Sequence, residues 1–168
     1  PGSYLLQHLI TFTSYYIFSW ALVINHFLPL HDCRNSATID LHQKPFDDAT
    51  ITKLEIFENY AKEWLPTFIM SYPNKDLWIF DFFAGTGYDM VGVPGSPIRI
   101  LRQIKNQTGN IFKQKTRIRV CFNEFDKSKF EQLKSSTENF ITTDNELERL
   151  CNNNLLLIEY RDSDFAEL

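Results

Sequence analysis

The feature that most constrains the fold is a short apolar run that opens directly into a glycine turn. Leu77 to Phe83 (LWIFDFF) is almost continuously apolar, which is typical of a strand buried on both faces of a parallel sheet. Ala84-Gly85-Thr86-Gly87 follows at once. Ser96-Pro97 then predicts a helix to about Gln107, with Ser96 as N-cap and Pro97 as the first helical residue. The sequence therefore predicts a strand, a glycine loop and a helix in succession.

Two further apolar runs have the same form. Arg117 to Phe122 alternates in polarity and leads into Asn-Glu-Phe-Asp, after which a helix from about Lys127 to Asn139 is expected. Leu155 to Tyr160 is a third strand and is followed by Arg-Asp-Ser-Asp. The βαβαβ pattern predicts an α/β fold, the N-terminal part of a doubly wound, mostly parallel sheet.

The chain has three parts by composition. Residues 1–30 contain no Asp, Glu, Lys or Arg, and Leu9 to Leu30 is long enough to span a bilayer. Because this stretch carries polar side chains and no basic residue precedes it, we favour an aromatic-rich packing segment over a membrane helix. Residues 31–49 form a polar connector, and residues 50–168 form the predicted domain. Its first helix starts near Ile51, with Thr52 and Glu55 as a capping box, and Pro66 kinks it or ends it at Leu65.

Charge and cysteine content exclude several classes of protein. A net charge of −4 over 168 residues argues against nucleic-acid binding by overall charge. Arg99 to Arg119 holds seven basic residues and no acids, and a solvated helix face and loop is favoured over a phosphate-binding patch. The three cysteines are widely spaced, so they indicate neither a disulfide framework nor a zinc site. We expect a cytoplasmic protein without a metal.

The glycine turn and the acids that follow the strands indicate a nucleotide site. Glycines let a ligand approach the backbone, and the helix start offers N–H groups to it. Glu124, after the second strand, can accept hydrogen bonds from both ribose hydroxyls, whereas Asp126 more simply caps the next helix. Asp164, or failing that Asp162, can accept from an adenine amino group. The dinucleotide fingerprint is not met, because Met90 occupies its last glycine position, and no Walker Gly-Lys-Ser/Thr occurs.

These motifs resemble the cofactor motifs of class I S-adenosylmethionine-dependent methyltransferases. More narrowly, KLEIFENYAKEWLPTF, WIFDFFAGTGYD and GSPIRIL resemble the three-Cys-motif partner protein family, over about Lys44 to Leu168. The resemblance implies a Rossmann-like class I methyltransferase fold and S-adenosyl-L-methionine as cofactor. It implies that Asp81, Gly85 and Gly87 line the methionine half of the cofactor, with Phe83 and Ala84 in the same loop. By the same resemblance, Glu124 binds the ribose and Asp164 the adenine.

The implied function is that of the cofactor-binding half of a methyltransferase-like protein. The methyl acceptor, a nucleic acid or a protein, is unknown. The resemblance separately suggests a partner protein encoded nearby. A fourth-strand motif such as Asn/Asp-Pro-Pro-aromatic is missing, and no Pro-Pro pair occurs. No catalytic residue can therefore be named, and we expect the chain alone to lack methyl-transfer activity. The alternatives are a non-catalytic Rossmann-like module that binds a partner protein and, third, a membrane-anchored protein.

Overall fold

The computed structural model describes residues 15–19 and 45–164, in which four strands and five helices occur. In chain order they are β1 (Tyr15–Ser19), α1 (Asp48–Ser71), β2 (Asp76–Asp81), α2 (Ser96–Asn106), α3 (Thr108–Gln114), β3 (Arg117–Asn123), α4 (Lys127–Thr142), α5 (Asn145–Asn152) and β4 (Leu156–Arg161). The alternation of strands and helices is that of an α/β fold.

The strands form one parallel sheet in the order β1-β2-β3-β4. Ile79 of β2 lies opposite Val120 of β3, and Phe122 of β3 lies opposite Tyr160 of β4. The strands predicted at 77–83, 117–122 and 155–160 correspond to β2, β3 and β4, and the parallel α/β prediction is confirmed. Strand β2 ends at Asp81, so the predicted extension to Phe83 is wrong. Because all strands run the same way, the residues that follow β2, β3 and β4 gather at one edge of the sheet.

The hydrophobic core lies between one face of the sheet and the helices. Side chains alternate along a strand, so Leu77 and Ile79 of β2 face this core while Trp78 and Phe80, with Phe82 just after the strand, face the other side. Those three rings stack along the strand, with centroids 5.6 and 5.7 Å apart. The buried helical residues of the core are Phe57, Ala61, Trp64, Leu65, Ile69, Ile100, Leu101, Ile104, Ile111, Leu133, Ile141, Leu147 and Leu150.

Helix α1 starts earlier than predicted, and it does not end at Leu65, one of the two effects predicted for Pro66. Asp47 is its N-cap and accepts a hydrogen bond from the Thr50 N–H at 2.7 Å, so the predicted start at Ile51 and the capping box at Thr52 and Glu55 are wrong. Pro66 lies inside the helix, which continues to Ser71. A proline inside a helix removes the hydrogen bond to the carbonyl four residues earlier, and its ring crowds that carbonyl. That residue, Lys62, is exposed, so water can satisfy its carbonyl.

Two helices were not predicted, and one is longer than predicted. Helix α3 begins Thr-Gly-Asn, and α5 is a polar segment in which Leu147 and Leu150 are the buried residues. The Asp144 side chain caps α5 by accepting from the N–H groups of Glu146 and Leu147. Helix α4 runs to Thr142, beyond the predicted end at Asn139. Tertiary packing supports these helices where local propensity is weak.

The basic segment is held largely by ion pairs within the domain. Arg99 pairs with Glu58 at 2.7 Å and Lys105 with Asp144 at 2.5 Å. Arg117 and Arg119 both reach Asp76, at 2.5 and 2.8 Å. Four of the seven basic side chains therefore neutralise carboxylates of the fold. This arrangement supports the interpretation as a structural surface rather than a phosphate-binding patch.

We expect Glu58→Gln to lower the free energy of unfolding by about 1–2 kcal/mol, because it leaves the Arg99 guanidinium with a neutral partner. The Arg99 side chain is only 9% exposed, and its Nε also donates to the Pro94 carbonyl at 2.9 Å. Urea denaturation measures the effect. Glu55→Gln, an exposed change on the same helix, is the matched control. Equal stability of the two variants would contradict the structural role of the ion pair.

Some sequence predictions concern residues outside the described ranges. Most of residues 1–30 and of the 31–49 connector, and Cys33, lie there, whereas 15–19 form β1 beside β2. Within 15–19 and 45–164, no helix is both long and apolar enough to cross a membrane. Cys121 is buried and Cys151 half-buried, both as free thiols. The same described residues contain no group of three or more His, Cys, Asp or Glu side chains able to hold a metal ion.

Candidate functional site

The loop between β2 and α2 begins with two left-handed glycines. Gly85 has φ 64° and Gly87 has φ 87°, a backbone region that side chains with a Cβ rarely adopt. The Gly87 carbonyl accepts from the Gly95 N–H at 2.8 Å, so the loop folds back on itself before α2 begins. The turn that the sequence predicted from its glycines is therefore a compact, hydrogen-bonded loop.

Glu124 connects this glycine loop to the turn after β3. One carboxylate oxygen, Oε2, accepts from the Gly85 N–H at 3.0 Å, and the other, Oε1, accepts from the Asp126 N–H at 3.0 Å. The side chain is half-buried. Asp126 caps α4 by accepting from the Lys129 N–H at 3.0 Å, the role that the sequence indicated for it. Glu124 and Gly85, 39 residues apart in sequence, are thus in direct contact.

Asp81 closes the base of the same loop from the end of β2. It is 3% exposed; Oδ1 accepts from the Phe83 N–H at 3.3 Å and Oδ2 from the Ser96 hydroxyl at 2.6 Å. Burial raises the pKa of Asp81 to about 6, and the nearby Glu124 charge acts in the same direction, while the bonds from Ser96 and Phe83 oppose the rise. Asp81 therefore connects the start of the loop, at Phe83, to its end, at Ser96.

Asn123, which the sequence reasoning missed, fastens the end of β4 to this edge. Its amide donates to the carbonyls of Phe82 at 3.2 Å and Ser163 at 3.1 Å, and its side-chain oxygen accepts from the Ser163 N–H at 3.2 Å. Asp164 is the next residue and is exposed at the same edge, as is Asp162. The sequence did offer a signal for Asn123, because it stands at the end of a strand directly before Glu124, and an amide buried there needs hydrogen-bond partners.

Asp89 is a second residue that sequence reasoning missed. Oδ1 accepts from the N–H groups of Val91 at 3.0 Å and Val93 at 2.7 Å, and Oδ2 accepts from the Phe46 N–H at 2.9 Å. Although burial alone raises the pKa of Asp89, the backbone donors outweigh it and lower the pKa below its ordinary value. An Asp that bonds its own backbone two residues on is a recognised turn signal.

Several apolar side chains in the loop between β2 and α2, and one next to Glu124, are exposed. Phe83 is 63% exposed and Phe125, directly after Glu124, is 66% exposed. Met90 and Val91 are exposed in the loop between β2 and α2. Ala84, by contrast, is buried, and its N–H donates to the Asn123 carbonyl at 3.0 Å. Phe83 and Phe125 are therefore accessible to a ligand that approaches Glu124.

No family model, curated protein or solved structure matches the chain. The structure brings Asp81, Gly85, Gly87 and Glu124 together through hydrogen bonds and loop closure, and it places Phe83 and Asp164 at the same edge.

The chemistry of this site favours binding over covalent catalysis. Each carboxylate oxygen of Glu124 has one further lone pair, so it can accept from a ligand hydroxyl while it keeps its backbone donor. Paired hydroxyls on adjacent carbons, as in ribose, match two acceptors on one carboxylate. The Ser96 hydroxyl does donate to the Asp81 carboxylate, but both residues are buried, at 7% and 3% exposure, so this pair is not presented to a ligand at the surface.

Proposed function

We propose that the carboxyl edge of this sheet binds S-adenosyl-L-methionine, and that the chain is the cofactor-binding part of a class I methyltransferase-like protein of the three-Cys-motif partner family. The observation that carries the proposal is the bond from the Gly85 N–H to Glu124 Oε2. It joins the glycine loop to the strand-end acid, the two groups that a nucleoside lying across parallel strand ends contacts.

The donor set fits the cofactor. Glu124 would hold the ribose hydroxyls, the backbone of Gly85 and Gly87 would lie against the methionine half, and Asp164 would reach the adenine amino group. Asp81, being buried, would keep the loop in shape. When bound, the cofactor supplies an electrophilic methyl group, and the protein's part is to bind and orient it toward an acceptor such as a nucleic acid or protein nucleophile.

A second candidate, a non-catalytic Rossmann-like module, has one observation in its favour. Both oxygens of Asp81 and both oxygens of Glu124 accept hydrogen bonds from the protein itself. Polar residues satisfied in this way can be retained for the fold alone. A partner protein would then be the ligand of the surface, and the glycine loop would be only a connector.

Isothermal titration of the full chain with S-adenosylhomocysteine separates the two candidates. We expect saturable heat with one site per chain and a rise in melting temperature in the presence of ligand. Adenosine alone should bind more weakly, because it lacks the amino-acid half. Absence of both heat and thermal shift in a folded chain would overturn the cofactor proposal and leave the non-catalytic module.

We expect Glu124→Ala to weaken S-adenosylhomocysteine binding by about tenfold to a hundredfold, since a lost hydrogen bond to a charged group costs about 1.5–3 kcal/mol. The free energy of unfolding should also fall, by on the order of 2 kcal/mol, because the N–H groups of Gly85 and Asp126 lose their acceptor. Glu131→Ala, an exposed change on α4, is the control. Unchanged affinity in a folded Glu124→Ala chain would remove Glu124 from the site.

A further inference from the structure

Ser96 has a role that its sequence position does not suggest. The sequence predicts Ser96 as the N-cap of α2, but Gly95 is the N-cap and no side chain caps the helix. The Ser96 hydroxyl instead points back to the strand and donates to Asp81 Oδ2 at 2.6 Å. Both residues are buried, at 7% and 3% exposure. A buried hydroxyl directed at a buried carboxylate makes a strong, charge-assisted hydrogen bond.

This bond joins the two ends of the glycine loop. Asp81 is the last residue of β2 and Ser96 is the first of α2, so the bond closes residues 82–95 at their base. Within that loop Gly95 also bonds to Gly87, and Gly85 bonds to Glu124. The position of the Asp81 carboxylate and the shape of the glycine loop are therefore set by the same contacts.

The groups that face Asp81 make Ser96 important for its charge. From β3 and the turn after it, Glu124 and the buried Cys121 thiol interact with Asp81 electrostatically. Neither is a cation. From its own loop, only the Phe83 N–H donates, at 3.3 Å. Among the described residues, Ser96 thus gives the shorter of the two hydrogen bonds that favour the ionised carboxylate, against burial and against the Glu124 charge.

We propose that Ser96 is a positioning residue of the cofactor site: its hydroxyl fixes the Asp81 carboxylate in its ionised form and so holds the glycine loop in its binding shape. The cofactor part of this inference rests on the proposed function. The positioning of Asp81 is a property of the protein without any ligand, so the two can be measured separately.

The ligand-free test is a titration of the Asp81 carboxyl by carbon-13 NMR in the full chain. Ser96→Ala removes the donor, and we expect the pKa of Asp81 to rise above its wild-type value of about 6. Ser96→Thr keeps a hydroxyl and should restore the wild-type titration. Ser135→Ala, an exposed change on α4, is the control. An Asp81 titration that is the same in Ser96→Ala and wild type would overturn the inference.

The ligand test is the affinity for S-adenosylhomocysteine as a function of pH. We expect Ser96→Ala to bind roughly tenfold more weakly at neutral pH, and the acid limb of its binding profile to move to higher pH. Ser96→Thr should recover both. A wild-type chain that binds while Ser96→Ala keeps the same affinity and the same acid limb would overturn the positioning role. A wild-type chain that never binds overturns the proposed function instead, and the NMR titration still decides how Ser96 acts on Asp81.

Circular dichroism must accompany both measurements, because an unfolded variant would mimic lost binding. If Ser96→Ala does not fold, Ser96→Cys replaces it, since a thiol has nearly the size of the hydroxyl group but is a weak donor. A shifted Asp81 titration in Ser96→Cys supports the inference, and an unshifted one overturns it.

Discussion

Gly87→Ala is expected to lower the free energy of unfolding by about 2–4 kcal/mol, combining positive-φ strain with overpacking. Gly87 has φ 87°, and a Cβ built there would lie 2.9 Å from the Cβ of Ser136 on α4. That neighbour is next to the helix backbone, so it cannot rotate away as the end of a long side chain would. Urea denaturation of the wild type and variant, with equal m-values, measures the loss.

Gly92 provides the matched control. It has φ 85°, but a Cβ there meets nothing within 4 Å, so Gly92→Ala should cost only the strain, about 1–2 kcal/mol. Adding Ser136→Gly to Gly87→Ala should recover the steric part, once the cost of Ser136→Gly alone is subtracted. Equal losses for Gly87→Ala and Gly92→Ala would mean that the glycine loop does not pack on α4 as described.

The contact between Gly87 and Ser136 explains why a glycine is required at a place where the sequence suggests only ligand access. The third glycine of a dinucleotide fingerprint permits close approach of helix and strand. In this protein, Gly87 lets α4, the helix that follows β3 in sequence, pack closely against the glycine loop. Two helices therefore hold the glycine loop in place. Helix α2 does so through the bond from Ser96 to Asp81, and helix α4 does so through the close packing of Ser136 on Gly87. A rigid loop is better placed to hold a ligand than one supported on a single side.

The strands were predictable because their signals are local and strong. Leu77 to Phe83 is an almost continuous apolar run, which is typical of a buried strand, and polar residues mark the ends of β3 and β4. The helix boundaries were less predictable because they depend on contacts distant in sequence. Asp47 and Thr52 both precede plausible helix starts, and only the structure shows that the Asp47 side chain makes the capping bond.

In the candidate site, too, some features could be predicted from the sequence and others could not. The types of residue at the strand ends indicated Gly85 and Glu124, because parallel strands bring their ends to one edge, whereas Asp81 was indicated by the family resemblance alone. Their partners could not be predicted, because each bond depends on loop geometry. That Ser96 contacts Asp81 rather than capping α2, and that Asp89 bonds to Phe46, follows from how residues 82–95 fold. Small polar residues have several local options, and tertiary structure selects one.

Asp81→Asn is expected to change how stability depends on pH, and to do so in a direction opposite to that of most carboxylates. The pKa of Asp81 is raised from 3.8 to about 6 by burial, so the folded state binds the proton more tightly than the unfolded state. The stability that this proton binding provides is complete below the unfolded pKa and is lost as pH rises through about 6. The ionised form is therefore the destabilising one.

The neutral amide of Asp81→Asn cannot ionise, so the difference in free energy of unfolding between variant and wild type should grow in favour of the variant as pH rises. Between about pH 4 and pH 8 we expect a growth of about 2 kcal/mol, since each unit of pKa shift corresponds to about 1.4 kcal/mol and part of the change falls below pH 4. Any constant cost of placing an amide opposite the Phe83 N–H cancels from this difference. Urea denaturation at several pH values gives the curve.

Asp47→Asn is the control of opposite sign. Hydrogen bonding to Thr50 lowers the pKa of Asp47, so its charge stabilises the fold above the ordinary pKa and that contribution is lost as pH falls. The stability difference between Asp47→Asn and wild type should therefore move against the variant as pH rises, whereas that of Asp81→Asn moves toward the variant. If the Asp81→Asn and wild-type curves run parallel, the Asp81 carboxylate is not held in the buried environment described. If they diverge as expected while S-adenosylhomocysteine binding is lost, the chain keeps a destabilising charge beneath its glycine loop for the sake of the site.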